Sequence, residues 1–276
     1  MSFVTSFFSP ALHLLHRFQD QVMIEVIVGD MMDVLERIRY DRFQRPDSTS
    51  PKEYHVIHMS NIPDYVGGAL TSFMYAVPLL KQGNGTGLTS NVLRNPPRWK
   101  SIDQFNAEYL LMHDRDLIRK HFAVKLSPLT QEGGSSVFIA IASMTMSDYR
   151  MWESVGQRKL VFTERLPREK LFYWLYSFFF KLCLPFPRSV PHFTLVYAPL
   201  NMTVFMRLLG LVAELGYPSH WISSIVSAVA SGEITTTTRT PTKYVLTTPR
   251  RSACGRGPTS SRPWQPCGAA FGLLVR

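Results

Sequence analysis

Apolar positions along the chain recur in two periods. From Met23 to Val28 they run almost unbroken, β-branched and short (M-I-E-V-I-V), which predicts a strand. Gly29-Asp30 ends that run, and from Met31 to Arg39 the residues Val34, Leu35 and Ile38 fall on one helical face. Asp30 stands where a carboxylate accepts the first free N–H groups of such a helix. Tyr54-His55-Val56-Ile57-His58-Met59 predicts a second strand, and Leu70, Phe73, Met74 and Val77 predict a second buried helical face starting near Gly68. Between them Ser60 to Tyr65 reads as irregular, because Pro63 disfavours helix in the residue before it. Two consecutive strand–loop–helix units favour a parallel sheet with crossover helices.

Further along, Lys81 to Pro97 is rich in Gly and Asn and reads as a loop. Ser101 with Gln104 forms a capping-box pattern that opens a long helix, its inner face Ile102, Phe105, Tyr109 and Met112. Ser136 to Met144 and Phe193 to Tyr197 are strand patterns. Leu171 to Pro185 is the most apolar window, short of the roughly 20 apolar residues a spanning helix needs and interrupted by Lys181. A buried helix or a partner-facing surface is expected there rather than membrane insertion. Asn201 caps a helix carrying Phe205, Leu208, Leu209 and Val212 on one face, stopped by Gly216 and Pro218. A shorter helix from Ser219 to Ala230 ends at Gly232. Beyond Glu233 no periodicity remains.

Composition changes this picture little. In 276 residues, 45% hydrophobic and 18% charged, there is enough apolar material for an ordinary globular core. The expected division is a lead-in over 1–22, an α/β domain over 23–233 and a basic tail over 234–276. The net charge of +10 points towards nucleic acid until its position is considered. Seven positive charges, Arg239 to Arg276, follow the last acidic residue Glu233, so the preceding residues carry only +3. Those seven are spread through Ser, Thr, Pro and Gly without a packed basic run, which reads as a solvated tail rather than a nucleic-acid arm. Three scattered cysteines (Cys183, Cys254, Cys267) supply neither a disulfide framework nor a zinc site, and fit a reducing, cytoplasmic compartment. Met1 to Leu15 is apolar but has no basic start and is broken by Pro10, so it does not read as a signal peptide.

Few patterns carry chemistry. Gly83-Asn84-Gly85-Thr86-Gly87 follows a helix and leads into no helix, the wrong setting for a nucleotide-binding glycine loop, and reads as a plain turn. His55 and His58 lie three apart on a strand, point to opposite faces and cannot share a metal. His113, Asp114 and Asp116 read as a solvated charged helix surface. Asp30 has two readings: a helix cap, or the acidic residue that contacts the adenine of S-adenosylmethionine in class I methyltransferases. Asn61-Ile62-Pro63-Asp64-Tyr65 follows a strand where an amino-methyltransferase carries an N-P-P-Y loop, with Ile62 and Asp64 replacing both prolines. The carboxyl end of a parallel strand is where such a ligand site belongs, which makes Asn61, Asp64 and Tyr65 candidates. No catalytic constellation can be assembled.

The stretch from His55 to Gly68 resembles the "DVI-x-x-SN-x-x-DYxGG" segment of a domain of unknown function found in mushroom-type fungi. Phe105-Asn106-Ala107-Glu108-Tyr109, Gly216 to Trp221 and Thr235 to Arg239 are similar to later segments of the same family. The resemblance runs from about Ile24 to Pro241. That family is related to the amino-terminal part of dynein axonemal assembly factor three, and its members sometimes carry a MYND-type zinc finger. The resemblance implies a Rossmann-like, class I methyltransferase-like fold. It departs from the family in two places. Three cysteines cannot build a MYND finger, and the 22 residues before Met23 contain no glycine for the cofactor loop of a first strand–helix unit. Either the family binds no cofactor, or this chain lacks that unit, and the sequence after Thr240 loses the family's character.

The expectation is therefore a methyltransferase-like domain acting as a non-catalytic interaction or assembly module, with no cofactor, no metal and a protein partner. The alternatives are an S-adenosylmethionine-dependent methyltransferase, with Asp30 at the adenine and Asn61 to Tyr65 beside the methyl group, and a weak nucleic-acid binder using the tail.

Overall fold

The computed structural model describes residues 23–43, 45, 50–83, 85–90, 102–127, 150–156, 158–183 and 200–234, with isolated positions among the first 18. The strand patterns at 136–144 and 193–197, the start of the capping box at Ser101, and the tail beyond 234 lie outside those residues. The chain divides into two compact units, Met1–Arg45 and Pro46–Arg276.

In the first unit, helix α1 (Met31–Arg39) starts as its sequence demands. The Asp30 carboxylate accepts from the N–H groups of Met32 and Asp33 at 3.0 and 3.2 Å. The strand expected over 23–28 is not formed: these residues join no ladder among those described. Ile24, Val26 and Val28 are 78, 83 and 95% exposed. Strand propensity reflects how well a side chain fits a pleated, half-buried surface, and without a neighbouring strand it produces none. Glu25 is held instead by the Arg45 guanidinium.

The second unit is a mixed α/β structure. Its described strands are β1 (Val56–His58), β2 (Gly87–Ser90), β3 (Val124–Leu126) and β4 (Arg150–Ser154), in the order β1-β2-β4-β3. β1 and β2 pair in parallel, with Ile57 opposite Leu88. β4 runs against both of its neighbours, so β1, β2 and β3 share one direction. The parallel pair is joined by α2 (Pro63–Val66), α3 (Gly68–Ala76) and a 3-10 turn (Val77–Leu79), the crossover that parallel pairing requires. The sheet is thus mixed rather than purely parallel. β2 lies inside the stretch that reads as a loop. Its four residues Gly-Leu-Thr-Ser carry little strand signal of their own and are fully buried between β1 and β4.

Helices α4 (Ile102–Leu110) and α5 (Arg115–Phe122) replace the single long helix expected after Ser101. The break falls at Leu111, whose φ of 48° is left-handed, and Asp114 starts α5 by accepting from the N–H groups of Asp116 and Leu117. α6 (Arg168–Cys183), α7 (Met202–Glu214) and α8 (Ser219–Ser231) follow and pack on one another. Asn201 caps α7 through the Val204 N–H at 3.0 Å, and Gly232, φ 70°, closes α8. One aromatic chain ties sheet to helices: Trp152 on β4 meets Phe73 of α3, Phe73 meets Phe122 of α5, and Phe122 meets Trp174 of α6. The aromatic run Phe172 to Phe180 is therefore partly core, with Trp174, Leu175, Phe178 and Phe179 buried and Phe172, Tyr176 and Phe180 half-buried. No helix among the described residues is long and apolar enough to cross a membrane.

Candidate functional site

The loop at the carboxyl end of β1 holds three of the four residues singled out by sequence, and it is built as a structural corner. Ile62 and Pro63 start α2, and the Asp64 and Tyr65 N–H groups donate to Asn61 and Ile62 carbonyls at 3.1 and 2.9 Å. Two left-handed glycines then turn the chain into α3, Gly67 at φ 103° and Gly68 at φ 64°. A Cβ at Gly67 would meet Leu200 at 2.7 Å, and one at Gly68 would meet the Tyr109 ring at 2.5 Å. Both positions thus need glycine twice over, for φ and for space. Asn61 is half-buried, Asp64 is 0% exposed, and Tyr65 is 42% exposed. The corner turns Asp64 into the interior and leaves Tyr65 as the one accessible ring. The Asp30 carboxylate, in the other unit, is exposed and caps its helix through Oδ1.

The glycine-rich loop faces the other way. It enters β2 at the amino end, and with Lys125, Glu153 and Gly156 it lines a polar cleft of about 560 Å³. Thr86 Oγ1 donates to the Gly83 carbonyl at 2.7 Å, and a Cβ on Gly87 would meet the Trp152 carbonyl oxygen at 2.8 Å. In α/β sheets ligands gather at the carboxyl ends of parallel strands. The loop's glycines serve a turn and a close strand approach instead. The Glu153 carboxyl is held below its usual range by the Ser127 hydroxyl and the Lys125 ammonium, at 2.6 and 3.0 Å.

A wide apolar concavity lies elsewhere among the described residues. α4, α5 and the first half of α6 wall a groove of about 860 Å³. Its floor is Leu111, Met112, Leu117, Leu166 and Trp174, and Tyr173 stands on its lip, 78% exposed. Two contacts fix α6 against α4. The Trp174 indole N–H donates to the Leu110 carbonyl at 2.8 Å, and the Lys181 ammonium reaches the Glu108 carboxylate while lying over the Tyr109 ring. Burial pulls the Lys181 pKa down, against the opposing pull of Glu108.

Beneath the groove runs a buried polar chain. The His121 Nδ1 sits 2.9 Å from the Leu117 carbonyl and its Nε2 2.8 Å from the Tyr217 hydroxyl. That hydroxyl accepts from the Leu166 N–H at 2.6 Å. The tautomer that satisfies every atom has Nδ1 donating to Leu117 and Nε2 accepting from Tyr217. Burial lowers the His121 pKa and pushes the Tyr217 hydroxyl up to about 12. Leu117 and Leu166, the backbone ends of this chain, are both groove-floor residues.

Sequence reasoning missed the groove because its residues come from three helices and a linker. The signal that was present is the aromatic run, of which Tyr173 is the exposed member. His113 and Asp114, read as plain surface, lie on the groove's rim. No group of three metal-ligating side chains that could hold an ion occurs among the described residues. No family model, curated protein or solved structure matches this chain.

Proposed function

We propose that this chain is a non-catalytic protein-interaction module, built on a Rossmann-like, methyltransferase-shaped sheet, with the α4–α5–α6 groove as its binding face. One observation carries the reading: an apolar groove of about 860 Å³ is walled by helices and holds an exposed tyrosine at its lip. Apolar grooves between helices are where partner helices and extended segments dock. The scaffold part rests on the crossover-linked parallel pair and on three strands sharing one direction beside a single reversed one. Large α/β sheets are commonly mixed, with an antiparallel strand in an otherwise parallel sheet.

The groove and the cofactor reading separate cleanly by experiment. Thermal melts of the full chain are expected to stay unchanged with S-adenosylmethionine or its demethylated product. A ligand that binds the folded state alone raises its stability with concentration over Kd. A transition that climbs with either compound would replace this reading with the methyltransferase one.

A further inference from the structure

Resting on the groove reading above, we infer that the groove takes a basic amphipathic helix from a partner protein, anchored by apolar residues at i, i+3 or i+4, and i+7. Charge selects that occupant. In a chain of net charge +10, the groove's lining carries three carboxylates, Glu108, Asp114 and Glu169, against the single ammonium of Lys170. Those carboxylates come from three walls: α4, the linker before α5, and the first turn of α6. The neighbouring outer surface of α5 shows the opposite habit. There Asp116 is paired with both Arg119 and Lys120, and Asp103 with Arg115, at 2.5 to 2.8 Å.

Within the groove two of the three carboxylates have no ion pair among the described residues. Glu108 is paired with Lys181 of α6, whereas Asp114 is held by backbone N–H groups, with no cation on it among the described residues. Glu169 is exposed and has no ion-pair partner among the described residues. An apolar floor inside a rim of carboxylates selects a ligand with an apolar stripe flanked by Lys or Arg. Rim charges of this kind set partner choice and association rate through complementarity. Met112 and the half-buried Leu111 and Leu117 give the floor side chains that can adapt to different anchors.

Two fluorescein-labelled synthetic helices test this on the full chain by fluorescence polarisation. They share one leucine stripe and differ in carrying Lys or Glu along the polar face. The Lys helix is expected to bind about tenfold or more tighter than the Glu helix, with Glu169→Lys closing much of that gap and Tyr173→Asp weakening binding. Equal or tighter binding of the Glu helix, still lost in Tyr173→Asp, overturns the inference and leaves the interaction reading standing. Binding that ignores Tyr173→Asp overturns both. No binding of either helix overturns the inference alone.

Discussion

Gly67 and Gly68 show how much of this chain's chemistry is backbone geometry. A methyl at Gly68 must adopt a left-handed φ of 64° and enter the Tyr109 ring at 2.5 Å, with α3 and α4 both anchored in the core. Gly68→Ala is therefore expected to cost about 2–4 kcal/mol, combining backbone strain with overpacking. Denaturant unfolding would read it, and a loss below about 1 kcal/mol would mean the corner is not as tight as described. His121 gives a second residue-scale outcome. Its pKa is lowered in the folded state, so the unfolded chain takes up the proton first and stability is fully present above pH 6.5. Stability should fall as pH drops from 6.5 towards the depressed folded value. Glu164, held down to about 2 chiefly by Arg158, acts in the same direction below 4.5. A denaturation midpoint that stays flat between pH 7 and pH 5 would contradict the burial of a neutral His121.

Elements in this fold are joined by a few polar bonds across apolar contacts. Tyr217, in the turn between α7 and α8, links the α5 histidine to the backbone just before α6. Tyr217→Phe keeps the ring and orphans two buried groups, the Leu166 N–H and the His121 Nε2. A loss of roughly 2–4 kcal/mol is expected, and a neutral result would show that water replaces the hydroxyl. Where an element carries its own boundary signals, the sequence displays it. Asp30 before α1, Asn201 before α7 and Gly232 after α8 are local devices, and the structure uses each of them. Elements fixed by their neighbours were not legible. β2 is a strand because β1 and β4 flank it, and 23–28 is not one because nothing described pairs with it. The division of α4 from α5 falls on Leu111, a residue type with no intrinsic preference for left-handed backbone. The same limit hid the groove, whose walls come together through contacts such as Trp174 with Leu110.

At the scale of the whole molecule, function depends on which surface is used. Asp30 caps α1, Asp64 is buried in a corner, and the glycine-rich loop lies at the amino end of its strand. The α4–α5–α6 groove combines size, apolar floor and an accessible aromatic lip. The most direct test is a displayed-peptide selection on the full 276-residue chain, counter-selected on its Tyr173→Asp variant. Tyr173 is 78% exposed, so the substitution is expected to leave the melting transition within about a degree or two of the parent. The account predicts peptides retained by the parent chain and lost on the folded variant. Peptides that bind both chains equally, or no enrichment on either, would contradict the groove as the binding face.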